Sequence, residues 1–301
     1  MKKACSAAIW IAALSIILSA CGQKNNSGTE SVSNLGTDTV ADVRVVTLAP
    51  HLAELMFAAQ AGDHLVGISA YTDYPAAAAE LPIVSDAFIV DQEQLALLRP
   101  DMLLAWKNGT PTHVVDQLRD AGYRVEVIQT DGLDDVATAI ETIGKLTGNP
   151  EQARDAAGHY RQEMRALADR YSEAVPLKVF YQISSRPLYT INGVHYISEL
   201  LALCGGRNIF DDLDELAPMI DVEAVISRNP EVMLAAEDST QAAFDVWDRW
   251  PGLAANQYGN RFFVPAAEIG RATPRLAIAG VAVCEALAEA RRNRQAGNAR
   301  D

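Results

Sequence analysis

Hydrophobic runs and amphipathic stretches alternate along most of this chain. Short runs rich in β-branched, aliphatic and aromatic residues, which are typical of buried strands, occupy residues 43–48, 64–69, 102–106 and 124–128. Between them, apolar residues recur at helical spacing, as in 52–59, 92–98 and 111–121. Strands that alternate with helices in this way predict a parallel sheet covered by helices on both faces.

A long amphipathic stretch divides the chain. Between Pro150 and Pro176, apolar residues recur every three or four positions, which predicts one helix of about 37 Å. After it the rhythm restarts. We therefore expect an α/β fold of two similar Rossmann-like lobes with parallel-type sheets, joined by one long rigid α-helix. The expected boundaries are 43–149 for the N-terminal lobe, 150–176 for the helix, 177–291 for the C-terminal lobe and 292–301 for a frayed tail.

A weak internal repeat at an offset of 130 residues supports the two lobes. Asp91-x-Glu93 recurs as Asp221-x-Glu223, and in each copy a short apolar stretch, a proline and an acidic residue follow. Each Asp is expected to cap a helix, and each Glu lies in the first turn, where a carboxylate interacts favourably with the helix dipole. Both a purely local role and a functional role remain open for this pair.

The N-terminus has the pattern of an export signal. Lys2 and Lys3 precede an apolar run that is too short to span a membrane permanently. The run closes with small residues before Cys21, which resembles the lipobox of bacterial lipoproteins, although an ordinary signal peptide with an incidental Cys is an alternative. We predict a signal peptide over 1–20, then the lipidated Cys21 and a flexible tether over 21–42, whose span is about 25 Å. The folded body is then lipid-anchored, in the periplasm or on an extracytoplasmic membrane face.

Two cysteines remain in the folded body. Cys5 leaves with the signal, so Cys204 and Cys284 face an exported and oxidising compartment. We expect them to pair, and a bridge closing about 80 residues would stabilise the fold by about 4–5 kcal/mol. Two separately buried thiols are the alternative.

The chain is acidic, with 39 Asp and Glu against 25 Lys and Arg and a net charge of -14. Such a surface repels phosphate backbones, so nucleic-acid binding is not expected, and the basic run at 291–294 is assigned to the tail. The sequence lacks the usual nucleotide-binding, nucleophile-elbow, zinc-protease and CxxC motifs. Its five histidines show no metal-ligand spacing. Nucleotide-binding, hydrolase and zinc-protease functions therefore lack their usual sequence evidence, and we predict no bound metal and no cofactor.

Aromatic residues cluster in loops that follow predicted strands. These residues are Tyr71, Tyr74, Phe88, Trp106 and Tyr189. If the lobes face each other, the rings supply flat area for a large, partly apolar ligand, and Lys107, Asn108 and Arg271 would meet amide or phosphate groups at its rim. His51 follows the first strand, at the edge where open α/β sheets bind ligands. Core packing of each ring and an ordinary loop role for His51 are the alternatives.

Several segments in order resemble the cobalamin-binding receptors of vitamin importers. They are RVVTLAP at 44–50 with Glu54, GISAYTDYP at 67–75, the 91–93 turn, RPD at 99–101, CGGRNIF at 204–210 and RATPR at 271–275. The resemblance covers about residues 43 to 290. It implies the class III periplasmic binding protein fold, a ligand in the cleft between the lobes, and no chemistry performed by this chain.

The resemblance also implies partners and residue roles. The chain would deliver its small-molecule ligand to an ABC permease dimer whose ATPase subunits supply the energy. Tyr71, Trp106 and Arg271 would contact the ligand, Glu93 and Glu223 would form salt bridges with permease arginines, and Cys204 would pair with Cys284. The docking role is physically reasonable, since one exposed carboxylate per lobe can engage a two-fold permease.

The full predicted ligand-binding set is Pro50, Tyr71, Phe88, Trp106, Tyr189 and Arg271. The chain departs from well-known cobalamin receptors at Ala87 and Ala217, where those proteins have tryptophans flanking the corrin. Two rival interpretations stay open. One is a haem or ferric-siderophore receptor in which Tyr71, His51 or His195 faces iron. The other is a cleft enzyme with Asp73 and Glu54 as acid and base.

Overall fold

The computed structural model describes residues 43–86, 89–237 and 241–299. The predicted signal peptide, the lipidated Cys21 and the tether lie outside the described residues, as do Ala87 and Phe88. Across the described part of the chain, no helix combines the length and the apolar character needed to cross a membrane.

Five parallel strands form the sheet of the N-terminal lobe. They are β1 (Val45–Thr47), β2 (Leu65–Ser69), β3 (Ile83–Ser85), β4 (Met102–Trp106) and β5 (Val125–Ile128), in the order β3-β2-β1-β4-β5. The helices are α1 (Pro50–Ala58), α2 (Ala76–Ala79), α3 (Gln92–Leu98), α4 (Thr112–Asp120) and α5 (Leu133–Thr147). The central strands β1 and β4 are buried almost throughout, because helices cover both faces of a parallel sheet.

Helix α6 (Pro150–Tyr171) connects the lobes. Its 22 residues extend about 33 Å. The residues of its buried face are Ala153, Ala157, Tyr160, Met164 and Leu167. The sequence predicts this helix as far as 176, whereas it ends at Tyr171. It could not have reached the predicted end, because Val175 directly precedes Pro176 and a residue before proline disfavours helical geometry. A turn from Tyr171 then leads into the next strand.

The C-terminal lobe repeats this architecture. Its strands are β6 (Leu177–Gln182), β7 (Ser184–Ser185), β8 (Leu188–Tyr189), β9 (Gly206–Asn208), β10 (Val232–Ala236) and β11 (Arg261–Val264). Its helices are α7 (Tyr196–Leu203), α8 (Val222–Arg228), α9 (Ala254–Gln257), α10 (Ala266–Ile269) and α11 (Leu276–Asn298). The parallel sheet has the order β11-β10-β6-β9, equivalent to β5-β4-β1-β2 of the first lobe, and β7 and β8 form a separate antiparallel pair. The prediction of two similar α/β lobes is confirmed.

The sequence repeat extends to the contacts at the helix starts. Helices α3 and α8, and strands β4 and β10, are each offset by 130 residues. Asp91 caps α3 by accepting the Gln94 amide at 2.9 Å, and Asp221 caps α8 by accepting the Ala224 amide at 2.7 Å. Both capping interactions predicted from the sequence are therefore present.

The same two helices also end alike. Arg99 and Asn229 follow them in left-handed conformation, with φ of 47° and 45°. Arg44 donates to the carbonyl of Leu98, the last residue of α3, at 3.0 and 2.8 Å, and the Lys178 ammonium lies 3.3 Å from the last carbonyl of α8. A cation at a helix C-terminus is favourable because it meets unpaired carbonyls at the negative end of the dipole. The two helices therefore have equivalent contacts at their C-terminal ends, one in each lobe.

Cys204 and Cys284 form a disulfide. Cys204 follows α7, Cys284 lies within α11, and both are fully buried. The predicted pairing is confirmed, and the alternative of two free thiols is wrong.

The C-terminal segment is not the frayed tail that the sequence predicts for 292–301. Helix α11 continues through most of it, and its arginines have partners in the C-terminal lobe. Arg291 donates to the Cys204 carbonyl at 2.7 Å, and Arg294 donates to the Glu231 carboxylate at 2.8 Å. These interactions explain why a polar, basic segment remains helical.

Candidate ligand-binding cleft

A cavity of about 310 Å³ lies between the two lobes, and we call it the cleft. The N-terminal lobe lines it with Pro50, His51, Trp106, Asn108, Thr130 and Asp131. The C-terminal lobe lines it with His195, Tyr196, Leu216, Gly270, Arg271 and Ala272. The residues of the N-terminal group lie at or just after the ends of β1, β4 and β5. This carboxyl edge is where open α/β sheets bind ligands.

A smaller cavity of about 140 Å³ adjoins the cleft within the N-terminal lobe. Pro50 and Trp106 line both cavities. Tyr71 lines the smaller cavity and is 83% exposed. The structure thus places Pro50, Tyr71 and Trp106 around adjoining cavities, with Arg271 on the opposite wall of the cleft. Four of the six predicted ligand-binding residues therefore lie together.

Trp106 is held in place by two neighbours. His51 meets the indole edge to face, with ring centroids 5.0 Å apart. On the other side, a Cβ at Gly109 would come within 1.9 Å of the indole ring. Only glycine leaves room for Trp106 in this position, so the Trp106–Gly109 turn determines the shape of the cleft wall.

The cleft contains two neutral imidazoles, His51, which is buried, and His195, which is partly buried. Burial, assisted by the positive charge of Arg271, lowers the pKa of His51 to about 4, and burial alone lowers the pKa of His195 to about 4. The His51 Nε2 lies 3.4 Å from the Thr130 hydroxyl. The His195 Nδ1 accepts the Ile197 amide at 3.1 Å, so the ring proton of this neutral histidine is on Nε2. The polar wall of the cleft is therefore uncharged at these positions near neutral pH.

These two histidines predict an acid-sensitive fold. Between pH 6.5 and 4, both histidines take up a proton in the unfolded chain but stay neutral in the folded chain. The free energy of unfolding therefore falls as the pH falls through this window, by up to about 3 kcal/mol per histidine, and this loss is absent above it. Urea unfolding at pH 7 and pH 4.5 measures the difference. His195→Gln should reduce this difference in the free energy of unfolding. His113→Gln is the control, since His113 is exposed, and it should leave the difference unchanged. A wild-type difference in His195→Gln would contradict a contribution from His195.

Arg271 lies between acceptors of the opposite lobe. Its guanidinium pairs with Glu54 at 3.1 Å and also pairs with Asp73, and it donates to the Tyr71 carbonyl at 3.0 Å. The hydrogen bond from Arg271 is the main reason that the pKa of Asp73 lies below its usual value. Arg271 therefore both lines the cleft and joins the lobes.

The remaining predicted ligand contacts lie elsewhere or outside the described residues. Tyr189, on β8, forms a backbone bridge with Met219 and lines neither cavity. Ala217 is exposed and does not line the cleft, whereas its neighbour Leu216 does. Phe88 and Ala87 are not among the described residues. A ligand role for Tyr189 and Phe88 stays a prediction.

Of the predicted rim and docking residues, Lys107, Glu93 and Glu223 do not line the cleft. Lys107 donates to Gln129 at 2.9 Å and lines neither cavity, whereas Asn108 lines the cleft and donates to Asp131. Glu93 and Glu223 are exposed in the first turns of α3 and α8. Their exposure leaves both carboxylates accessible to another protein, one on each lobe.

Several residues that line the cleft were not predicted from the sequence. Thr130, Asp131, Tyr196 and Leu216 carry no motif, although Thr130 and Asp131 follow β5 directly. Applying the strand-edge rule to β5 as well as to β1 would have found these two. Leu216 had no sequence signal, because only the backbone bonds joining 216–220 to 188–192 bring it to the cleft.

The residues of the enzyme interpretation are engaged in ion pairs. Glu54 and Asp73 both bond to Arg271, and Glu54 bonds to Arg275 as well. Within residues 43–86, 89–237 and 241–299, no group of three or more His, Cys, Asp and Glu side chains has an arrangement that could hold a metal ion.

Known proteins similar to this chain include several binding proteins. A family model described as periplasmic binding protein matches residues 45–266. The vitamin B12-binding protein of Vibrio cholerae serotype O1 is 36% identical over 245 residues, which cover 81% of this chain and 88% of the relative. The crystal structure of the periplasmic vitamin B12-binding protein of Vibrio cholerae has 35% identity and a TM-score of 0.76, covering 82% of this chain and 97% of that one. A periplasmic haem-binding protein from Pseudomonas aeruginosa is 26% identical with a TM-score of 0.70, covering 81% and 91%.

Proposed function

This chain belongs to the periplasmic binding protein family, and from that premise we propose that it is the substrate-binding component of an ABC importer that captures cobalamin or a related corrinoid. The cleft between the lobes is the binding site. The ligand is then delivered to a membrane permease, and the chain itself catalyses no reaction.

The observation that carries the proposal is the composition of the cleft. Trp106, Pro50 and Leu216 provide apolar and aromatic surface, while two neutral imidazoles, Thr130 and one guanidinium provide hydrogen-bonding groups. A corrinoid matches this lining, because it is a large, partly apolar macrocycle with many neutral amide side chains. The similarity to vitamin B12-binding proteins over four fifths of the chain supports the same ligand.

We also propose how the protein meets the membrane. Glu93 and Glu223 occupy equivalent exposed positions on the two lobes, which suits docking onto a permease dimer with its ATPase subunits. The lipid on Cys21 would keep the folded body near that permease while the tether lets it turn.

Calorimetry with cyanocobalamin tests the ligand. The wild-type protein is expected to bind with sub-micromolar affinity, and Trp106→Ala to weaken binding by about tenfold or more, because it removes the largest ring of the cleft. Trp250→Ala is the matched control, since Trp250 is 41% exposed and lines neither cavity. No binding at micromolar concentrations, or an equal loss in both variants, would refute the proposal.

A haem receptor is the second candidate. Neutral imidazole is a good iron ligand, and the low pKa values of His51 and His195 keep both rings neutral. If haem is the ligand, adding it should change the visible spectrum in a way that His51→Ala or His195→Ala abolishes. A spectrum indifferent to both substitutions counts against this candidate.

A further inference from the structure

A buried carboxylate joins the two lobes at the cleft. The Glu54 side chain, on α1, is only 3% exposed. Its Oε2 accepts a hydrogen bond from Arg275 Nε at 3.0 Å, and its Oε1 accepts one from Arg275 Nη2 at 2.7 Å. The same Oε1 accepts one from Arg271 Nη1 at 3.1 Å. One carboxylate of the N-terminal lobe therefore holds two guanidinium groups of the C-terminal lobe.

Further contacts fix the same two arginines. Arg271 donates to the Tyr71 carbonyl and to Asp73, so three of its five N–H groups are engaged by described residues of the N-terminal lobe. The Arg275 guanidinium stacks on the Tyr74 ring, 4.3 Å from its centroid. Arg271 thus has a restricted position at the cleft wall, with the remaining N–H groups left for a ligand.

Glu54 is the central anion of this cluster. The Asp73 side chain is 69% exposed, so water screens its attraction for Arg271. The bond from Glu54 to Arg275 is bidentate and buried, which makes it strong and directional. Without this carboxylate, the two guanidinium groups of the C-terminal lobe would lose their buried counter-charge in the N-terminal lobe. Among the described residues, Arg271 would keep only the exposed Asp73 as a counter-charge across the cleft, and Arg275 would keep Glu268 of its own lobe, so the attraction between the lobes would be weaker.

We propose that Glu54 is a positioning residue of the cleft, which holds the lobes at the separation that the ligand requires and the Arg271 guanidinium in place to contact it. This inference rests on the proposed function, because it takes the ligand to bind beside Arg271. Glu54 lines neither cavity, so it acts through the arginines and not by touching the ligand.

Glu54→Gln tests this role, because it keeps the size of the side chain and removes its charge. In the purified full-length protein, the dissociation constant for cyanocobalamin is expected to rise about tenfold or more, as when a buried charge pair loses one partner. The distance between spin labels at Gln117→Cys and Ser227→Cys, exposed on α4 and α8, should show a broader distribution by pulsed electron resonance. Arg275→Gln combined with Glu54→Gln should weaken binding little more than either change alone.

Glu141→Gln is the matched control. It weakens the pair between Glu141 and Arg161, in which both side chains are 27% exposed and which joins α5 to α6 instead of the two lobes. This variant should keep the wild-type affinity and distance distribution even if it unfolds more easily.

Three results would overturn the inference: a wild-type distance distribution in Glu54→Gln, an unchanged dissociation constant, or additive losses in the double variant. If the wild-type protein binds no cobalamin, the proposed function fails separately. The distance measurement then still decides whether Glu54 sets the lobe separation.

Discussion

Uptake of cobalamin is expected to fall to background in cells that carry Glu93→Ala together with Glu223→Ala, while the purified variant keeps the wild-type ligand affinity. Each carboxylate lies exposed at the first turn of an equivalent helix, and the two stand on different lobes. Removing one partner of a charge pair that an interface buries costs about 2–5 kcal/mol. Losing two should therefore weaken docking by roughly a thousandfold or more. Radiolabelled uptake and calorimetry measure the two quantities separately.

The control is a double variant that removes the same charge elsewhere. Glu80 and Glu285 are exposed, one on each lobe, and neither lies in the first turn of α3 or α8. Glu80→Ala with Glu285→Ala should transport normally. Unchanged uptake in Glu93→Ala with Glu223→Ala, or an equal defect in the control, would refute docking through these two residues.

Removing the disulfide is expected to lower the free energy of unfolding by about 4–5 kcal/mol, because the bridge closes a loop of 80 residues. Cys204→Ala with Cys284→Ala is the appropriate change, since both sites are fully buried and alanine adds no unpaired polar group. Urea unfolding measures the loss. The bridge joins α7 to α11 within the C-terminal lobe and contacts neither cavity, so ligand affinity should change little.

Unfolding the wild-type protein with and without a reductant provides the control. Reduction breaks the cross-link but keeps both sulfur atoms in the core, as thiols, so it separates the effect of the bridge from that of the lost packing. A loss below about 1 kcal/mol in both experiments would show that the bridge contributes little to stability.

Local sequence rules predicted much of this fold. The bounds of α3 agree with the predicted 92–98, and Asp91 and Asp221 cap their helices as expected. A helix cap needs only a side-chain oxygen and an amide three residues away, so the sequence contains the whole interaction. The disulfide was predictable for a different reason, since the predicted export signal and the predicted lipidation of Cys21 leave two cysteines in the folded body.

The errors occurred where distant partners decide the outcome. The segment from 292 has the composition of a tail, yet it stays helical because Arg291 and Arg294 bond to the Cys204 carbonyl and to Glu231. Neither residue composition nor periodicity records these constraints.

By itself, the sequence determined the alternation of strands and helices, the two-lobe repeat and the helix caps, because periodicity and capping are properties of neighbouring residues. Strand ends and the family resemblance also indicated Pro50, Tyr71, Trp106 and Arg271, which line the two adjoining cavities. Only the tertiary structure decided that Glu54 is the partner of Arg271 and Arg275. Those arginines lie 217 and 221 residues further along the chain. A pairing over such a separation exists only once both lobes have folded and the cleft between them has formed.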